Sequence, residues 1–512
     1  MSRPFLLVAV VSLLCGGACT ALVDHDAIQC TTDADCATFG GHPYCRAGAC
    51  VPSGLGPANC FSGTPARPAD FLNQCSTAAC FSFDDCQRVH LCGASSGGPD
   101  AALLAPPVAT PAAAADAAAD AAAAVTDGGS QLPACVDASS GRGQVVILTG
   151  SSNFPPLLAK LAPLIVASGF TPVYQVTSSC AGVAAVLGSN HTIFDPAAGK
   201  GGKTAQYYRS DGTSVPCSLG LDGATVDVGE SDIFASTCAG FDEPSAGVVE
   251  YLGPIQAMLF VTPGASRQTA ISAEAARMVF GMGGAGGVTS PWTDPALYFV
   301  RNQTTGTQQM IAKAIGVPAG AFWGVDRGTA ATVDSDLRVI SDPTLANQAI
   351  GIISADYYDA DRANLNALAF KAEGQGCAYL PDSTQFTRDK QNVRDGHYPI
   401  WGPTHFFTAV ASGVPVSPGA AAFVSIVSVP NIAQPLLDAF IGSSLVPACA
   451  MRVQRTSELG PTSAYTPPFV CGCYFEASVE GSPPADCTRC KTANDCADPA
   501  RRACNLGFCE TR

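Results

Sequence analysis

The sequence predicts an α/β domain with a largely parallel sheet, flanked by small disulfide-rich modules. Three observations predict it. Apolar, β-branched runs at Gln144-Val-Val-Ile-Leu148 and Val173-Tyr-Gln-Val176 read as buried strands that pass into small polar residues. Between them, Leu157-Leu158-x-x-Leu161-x-x-Leu164-Ile165 has helical spacing, and Pro155-Pro156 behind Ser and Asn cap residues marks its start. Outside this part, the spacing Cys30-x5-Cys36-x8-Cys45-x4-Cys50 returns as Cys490-x5-Cys496-x7-Cys504-x4-Cys509. Segments that short bury too little apolar surface to fold without covalent staples.

At 512 residues the chain is long enough for several domains, and 47% hydrophobic content supplies at least one large core. Only 13% of residues are charged and the net charge is −15, which excludes a nucleic-acid binder dependent on clustered Lys and Arg. It does not exclude an anionic ligand, because backbone N–H groups at helix N-termini act locally. The 24 cysteines fit disulfides outside the reducing cytosol.

Taken in order, the chain opens with Arg3 and a mostly apolar run from Phe5 to Leu14, then Gly16-Gly17-Ala18-Cys19. The run is too short to span a bilayer and reads as a signal peptide over 1–18. Gly16-Gly17-Ala18-Cys19 resembles a bacterial lipobox, although Gly16 stands where a larger aliphatic residue is usual. The resemblance implies lipidation at Cys19 and attachment to the membrane through an N-terminal lipid. Removing 1–18 takes away Cys15 and lipidation occupies Cys19, leaving 22 cysteines, an even number. Thr20, where Asp retains lipoproteins at the inner membrane, points to the outer membrane. An exported cell-envelope lipoprotein, in the outer membrane or periplasm, is the expectation, with an ordinary cleaved signal peptide as the alternative.

Residues 19–94 form the expected cysteine-rich stalk, with a looser third cluster at Cys60, Cys75, Cys80, Cys86 and Cys92. Residues 95–134 are rich in Ala, Pro and Asp without an apolar stripe, hence a linker. The large domain is expected over 135–475 and a second cysteine module over 476–512. Cys487-Thr-Arg-Cys490 leaves zinc as a competing reading, but no His is interleaved with these cysteines, so no metal is expected.

Four segments place hydroxyl or glycine residues at strand-to-helix junctions: Gly150-Ser-Ser-Asn-Phe154, Thr177-Ser-Ser-Cys-Ala-Gly182, Gly229-Glu-Ser-Asp232 and Arg301-Asn-Gln-Thr-Thr-Gly-Thr307. Hydroxyls with exposed N–H groups make an anion cradle, and an Arg adds a charge-assisted contact. Singly, such loops mostly cap helices.

In this order the segments resemble the phosphate-binding proteins of ABC importers, in the type II periplasmic binding protein superfamily. The resemblance covers about 144–430. It runs through Leu148-Thr-Gly-Ser-Ser-Asn-Phe-Pro155, Tyr174-Gln-Val-Thr-Ser-Ser179, Val226-Asp-Val-Gly-Glu-Ser-Asp232, Met278-Val-Phe-Gly281 with Trp292-Thr-Asp-Pro295, Arg301 to Thr307, Ala349-Ile-Gly-Ile352 and His397-Tyr-Pro-Ile400. It implies a two-lobed type II binding fold with a hinge near Tyr251–Pro263 and again near His397. Lobe 1 would comprise about 143–255 and 397–455, and lobe 2 about 256–396. The implied ligand shell is Asn153 and Phe154 through backbone N–H groups, Ser178 or Ser179, Asp232, Arg301, Thr305, Gly306 and Thr307. A carboxylate at Asp232 would accept a proton from hydrogen phosphate and reject sulfate.

Three features depart from the family. Gln303 replaces the acidic neighbour of the Arg, the second loop has an extra residue and contains Cys180, and a polar insertion spans roughly Gly188 to Leu221. The expected function is non-catalytic capture of a small oxyanion, phosphate first, by a monomer without cofactor, with an ABC permease as the partner the family implies. An enzyme is disfavoured by the absence of Gly-x-Ser-x-Gly, His-Glu-x-x-His and P-loop motifs. His397 and His405 are expected at a strand start and in packing. The alternative function is an envelope scaffold or adhesion protein that keeps the fold without phosphate.

Overall fold

The computed structural model describes residues 33–36, 44–46, 49–51, 60–89, 132–136, 144–188, 204–219, 224–244, 247–284, 289–428 and 433–511. The signal segment, Cys19 and nearly all of the 95–134 linker lie outside the described residues.

The first α/β lobe is built on β1 (Val145–Gly150), α1 (Pro155–Ala167), β2 (Thr171–Val176) and α2 (Ser179–Leu187). The apolar runs read from the sequence form β1 and β2, which pair in parallel from Val145↔Thr171 to Gly150↔Val176. The face of α1 carrying Leu157, Leu158, Leu161 and Ile165 is buried, as its spacing requires. Within the polar insertion, β3 (Thr204–Tyr208) and β4 (Ser214–Ser218) form a hairpin that extends the sheet antiparallel to β2. A Cys135–Cys217 disulfide ties it down. On the other side of β1 lies β5 (Val228–Ser231), parallel to it.

The sheet crosses between lobes on β6 (Val248–Pro263), a strand of 16 residues. The second lobe adds α3 (Ala273–Met282), β7 (Tyr298–Val300), α4 (Gly306–Ile315), β8 (Val325–Asp326), α5 (Ala330–Arg338), β9 (Ile350–Ser354), α6 (Ala355–Ala360) and β10 (Leu365–Ala367). The chain then returns on β11 (Trp401–Ala411). The first part of β6 pairs with β11, and its last residues pair with β9 and β10. The resulting strand order is β8-β7-β9-β6-β11-β5-β1-β2-β3-β4. In each lobe, parallel strands end next to helix starts, which is where α/β sheets place ligands.

Residues Ala66–Leu72 and Thr77 onward belong to the same compact unit as this sheet, whereas 1–65 and 73–76 form another. Cysteine spacing alone groups 66–89 with the stalk. The physical reason for the difference is a set of long-range ties: the Cys80–Cys377 disulfide, the Phe81↔Ala378 bridge and the Asp85–Lys371 ion pair at 2.6 Å.

The repeated cysteine spacing corresponds to repeated structure. Each copy has a 3-10 turn (Asp33–Cys36, Ala493–Asp495) followed by a short hairpin, with Cys45 opposite Cys50 and Cys504 opposite Cys509. The sulfurs of Cys490, Cys496 and Cys509 lie within 4.8 Å of one another. They are engaged in the Cys490–Cys504 and Cys496–Cys509 disulfides, so they are not the free thiolates zinc takes.

Candidate functional site

Four chain segments converge where the lobes meet. Behind them, α2 packs tightly on β5: a Cβ on Gly182 would stand 2.0 Å from the Glu230 carbonyl oxygen. Only glycine permits that approach, and it brings the start of α2 to the end of β5. The Cys180–Cys238 disulfide fixes the same pair of segments covalently.

Asp232, 2% exposed, is the centre of the cluster. Its Oδ2 accepts hydrogen bonds from the Ser151 hydroxyl (2.5 Å), the Asn153 side-chain amide (3.0 Å) and the Ser179 hydroxyl (3.4 Å). Burial pushes its carboxyl above the usual range, opposed by those hydrogen bonds and by the Arg301 charge. Two residues earlier on the same face, Glu230 is fully buried; its Oε2 accepts from the Ser151 N–H at 2.7 Å and the Tyr174 hydroxyl at 3.0 Å.

The second lobe contributes Arg301 and the N-terminus of α4. Arg301 is 1% exposed; its Nη2 donates to Ser152 Oγ (2.8 Å) and its Nε to the Gly328 carbonyl (3.0 Å), while Nη1 has no partner. Burial lowers its pKa to about 10, against the raising effect of Asp232, so it remains a cation at neutral pH. The lobes touch elsewhere across the cleft. The Gly306 N–H donates to Ser179 Oγ (3.1 Å), the Asn153 amide to Thr307 Oγ1 (3.3 Å) and the Cys180 N–H to the Thr304 carbonyl (3.2 Å).

Of the residues expected to contact ligand, Asn153, Ser179, Asp232, Arg301, Gly306 and Thr307 are brought together. Three are not. Phe154 packs its ring on Tyr174 and Phe406, and its N–H already donates to the Ser151 carbonyl. Ser178 caps α2 by accepting from the Ala181 N–H, and Thr305 spends its hydroxyl on the Asn302 carbonyl. The Asn153 N–H is likewise held, by Ser151 Oγ at 3.1 Å, so this residue faces the cluster with its side chain instead. The tight turn over 151–154 consumes the N–H groups expected to be free.

Residues outside the expected shell also take part: Ser151, Ser152, Glu230 and Tyr174. The period of two along Val228-Gly-Glu-Ser-Asp232 is the signal that could have found Glu230, since it puts both acids on one face. Gln303 is exposed and does not serve the Arg301 guanidinium; Gln308 instead holds the backbone there, accepting from the Arg301 main-chain N–H at 2.9 Å and donating to the Ala319 carbonyl. His405 lies in β11 with Nδ1 2.6 Å from Glu250 Oε1 and its ring against Phe234 and Phe407, and His397 packs on Tyr379.

No family model matches the chain, and no curated protein matches it. Among solved structures, the chain is similar to a putative phosphate ABC transporter substrate-binding protein from Clostridium perfringens with bound phosphate. There the TM-score is 0.37 and identity 12%, over 60% of this chain and 100% of that one. It is also similar to an ABC-type phosphate transport receptor from Vibrio cholerae (TM-score 0.38, 11% identity, 59% and 99% covered). A third similarity is to an OxyR mutant from Corynebacterium glutamicum (TM-score 0.32, 9% identity, 60% and 69% covered). Values of this size assign the chain to no family, so the chemistry rests on its own residues.

Proposed function

We propose that the chain captures a small oxyanion, phosphate first, between its two lobes without transforming it. The observation that carries this reading is Arg301: a buried cation with an unpartnered Nη1, set among hydroxyl and amide donors and the N-terminus of a helix of 10 residues. A buried guanidinium with an unused donor is costly unless an anion meets it. The partial positive charge at the start of α4 acts in the same sense.

Asp232 supplies the discrimination. Its carboxylate accepts a hydrogen bond from the O–H of hydrogen phosphate or arsenate and repels sulfate, which has no proton to offer at neutral pH. Ligand held from both sides stabilises the closed arrangement, because the open one offers half the contacts.

The disulfides suit an exported protein of the cell envelope; lipid attachment at Cys19 and service to an ABC permease belong to the same reading. Among the described residues no helix is long and apolar enough to cross a membrane.

Calorimetric titration of the purified, oxidised full chain with phosphate, arsenate and sulfate tests the reading. Phosphate and arsenate are expected to bind and sulfate not. Arg301→Ala should weaken phosphate about 100-fold, the scale of a lost buried charge-assisted contact. Silence with all three anions from folded protein would overturn phosphate capture and favour the scaffold role.

A further inference from the structure

The proposed site contains a second carboxyl that the anion-capture reading does not use. Glu230 lies on β5, two residues before Asp232, and is fully buried. From β2 the Tyr174 hydroxyl faces it, its one hydrogen divided between the Ser151 carbonyl (2.6 Å) and Glu230 Oε2 (3.0 Å), and from the loop after β1 the Ser151 N–H reaches the same Oε2 at 2.7 Å. Gly150, at the end of β1, also closes on the carboxyl: a Cβ there would stand 2.6 Å from Glu230 Oε2. Among the described residues no Lys, Arg or His ion-pairs with it. Arg301 bears on Asp232 from the other lobe.

Oε1 of Glu230 is buried without a hydrogen-bond partner, and Ser151 ties the two carboxyls into one cluster, its N–H on Glu230 Oε2 and its hydroxyl on Asp232 Oδ2. Two ionised carboxylates have no hydrogen to put between them, and they would leave two buried charges facing one guanidinium. A single proton on Glu230 resolves both problems at once, because it provides the missing donor and removes one charge.

We infer that Glu230 carries a proton at neutral pH and shares it with Asp232, so that the pair presents one negative charge to an incoming anion. Glu230 is therefore a positioning residue, acting through Asp232. This inference rests on the oxyanion reading for its purpose, but not for the proton itself. The physical tendency agrees: burial, then the Asp232 charge, hold the Glu230 carboxyl well above the usual range.

The test is infrared spectroscopy of the ligand-free, oxidised full chain at pH 8, following the carbonyl stretch of an un-ionised carboxylic acid and its shift in heavy water. The wild type should show the band, and Glu230→Gln should lose one carboxylic acid's share of it. Equal bands in the two proteins would overturn the inference. So would a wild-type spectrum with no such band, which needs no variant and covers the case of a variant that does not fold. Phosphate titration at the same pH gives the functional arm. Glu230→Gln keeps the shape and is neutral, so it should not bind phosphate more tightly than wild type. Binding tenfold tighter would mean that Glu230 is ionised and repelling the anion, and the inference would fail. If neither protein binds phosphate while the band behaves as expected, the oxyanion reading fails and the shared proton stands.

Discussion

Asp356 shows how strongly a single residue in this cleft responds to its surroundings. It sits at the start of α6, and burial raises its pKa to about 6, with the Asp232 charge adding to the rise. In the unfolded chain an Asp titrates near about 3.9. A folded value above the unfolded one means that the folded state holds the proton more tightly. The resulting stability is present in full below pH ~4 and declines as the pH rises, until it is lost above about 6. Asp356→Asn removes the titration while leaving an oxygen to accept from Gln256 Nε2, which donates to Asp356 Oδ1 at 3.1 Å. The wild-type melting temperature should therefore fall more between pH 4 and pH 8 than that of the variant. Parallel curves would show that Asp356 keeps its proton, or lacks it, throughout. At this scale the sequence was half legible. Asp232, Asn153 and Arg301 are recognisable from their motifs, since each motif needs that residue type at that place. Ser152 carries no local mark, because what makes it a site residue is the Arg301 guanidinium that reaches it from the opposite lobe.

At the scale of elements, the site depends on how closely two helix starts approach the end of β5. Gly306 opens α4, and a Cβ there would stand 2.6 Å from Asp232 Cβ and 2.7 Å from Ser179 Oγ. These atoms belong to the opposite lobe and are buried, so they cannot swing aside as a surface side chain would. Gly306→Ala should push α4 away from α2, costing about 1–3 kcal/mol of stability in the closed arrangement and weakening anion binding at least tenfold. Calorimetry with thermal melts measures both, and unchanged binding would show that the lobes close without this contact. Strands β1 and β2 and helix α1 are legible because their period follows directly from which side faces the core. The β3–β4 hairpin is not: Thr204-Ala-Gln-Tyr-Tyr208 alternates only weakly in burial, and it lies in a stretch whose composition reads as loop. Its pairing to β2 is set by an available sheet edge and by Cys135, 82 residues away. Disulfide partners at such separations carry no sequence signal.

At the scale of the molecule, disulfides do the work that sheet pairing does inside each lobe. Cys449–Cys471 and Cys473–Cys487 lead from the end of the α/β domain into the C-terminal module. The fully buried Arg394 reinforces the join with a 2.5 Å ion pair to Glu476. Cys80–Cys377 does the same for the N-terminal side across 297 residues of chain. Around it, Ser272 Oγ donates to Asp85 Oδ1 at 2.5 Å, and Arg88 lies over the Trp292 ring while donating to Gln268 at 2.9 Å. None of these contacts involves a residue of the cleft. Replacing Cys80 and Cys377 by Ser should therefore separate stability from binding. The chain-entropy picture puts the loss at up to about 5 kcal/mol for a loop this long; the neighbouring ion pair and hydrogen bonds do not restore it, because they constrain only the folded state. The expected result is a lower melting temperature and faster tryptic cleavage after Arg88, with phosphate affinity within threefold of wild type. Cleavage should quicken because a segment no longer tethered opens locally before the whole domain does. A drop in affinity equal to that of Arg301→Ala would instead mean that the N-terminal clamp sets the position of the second lobe, and so governs how the cleft closes.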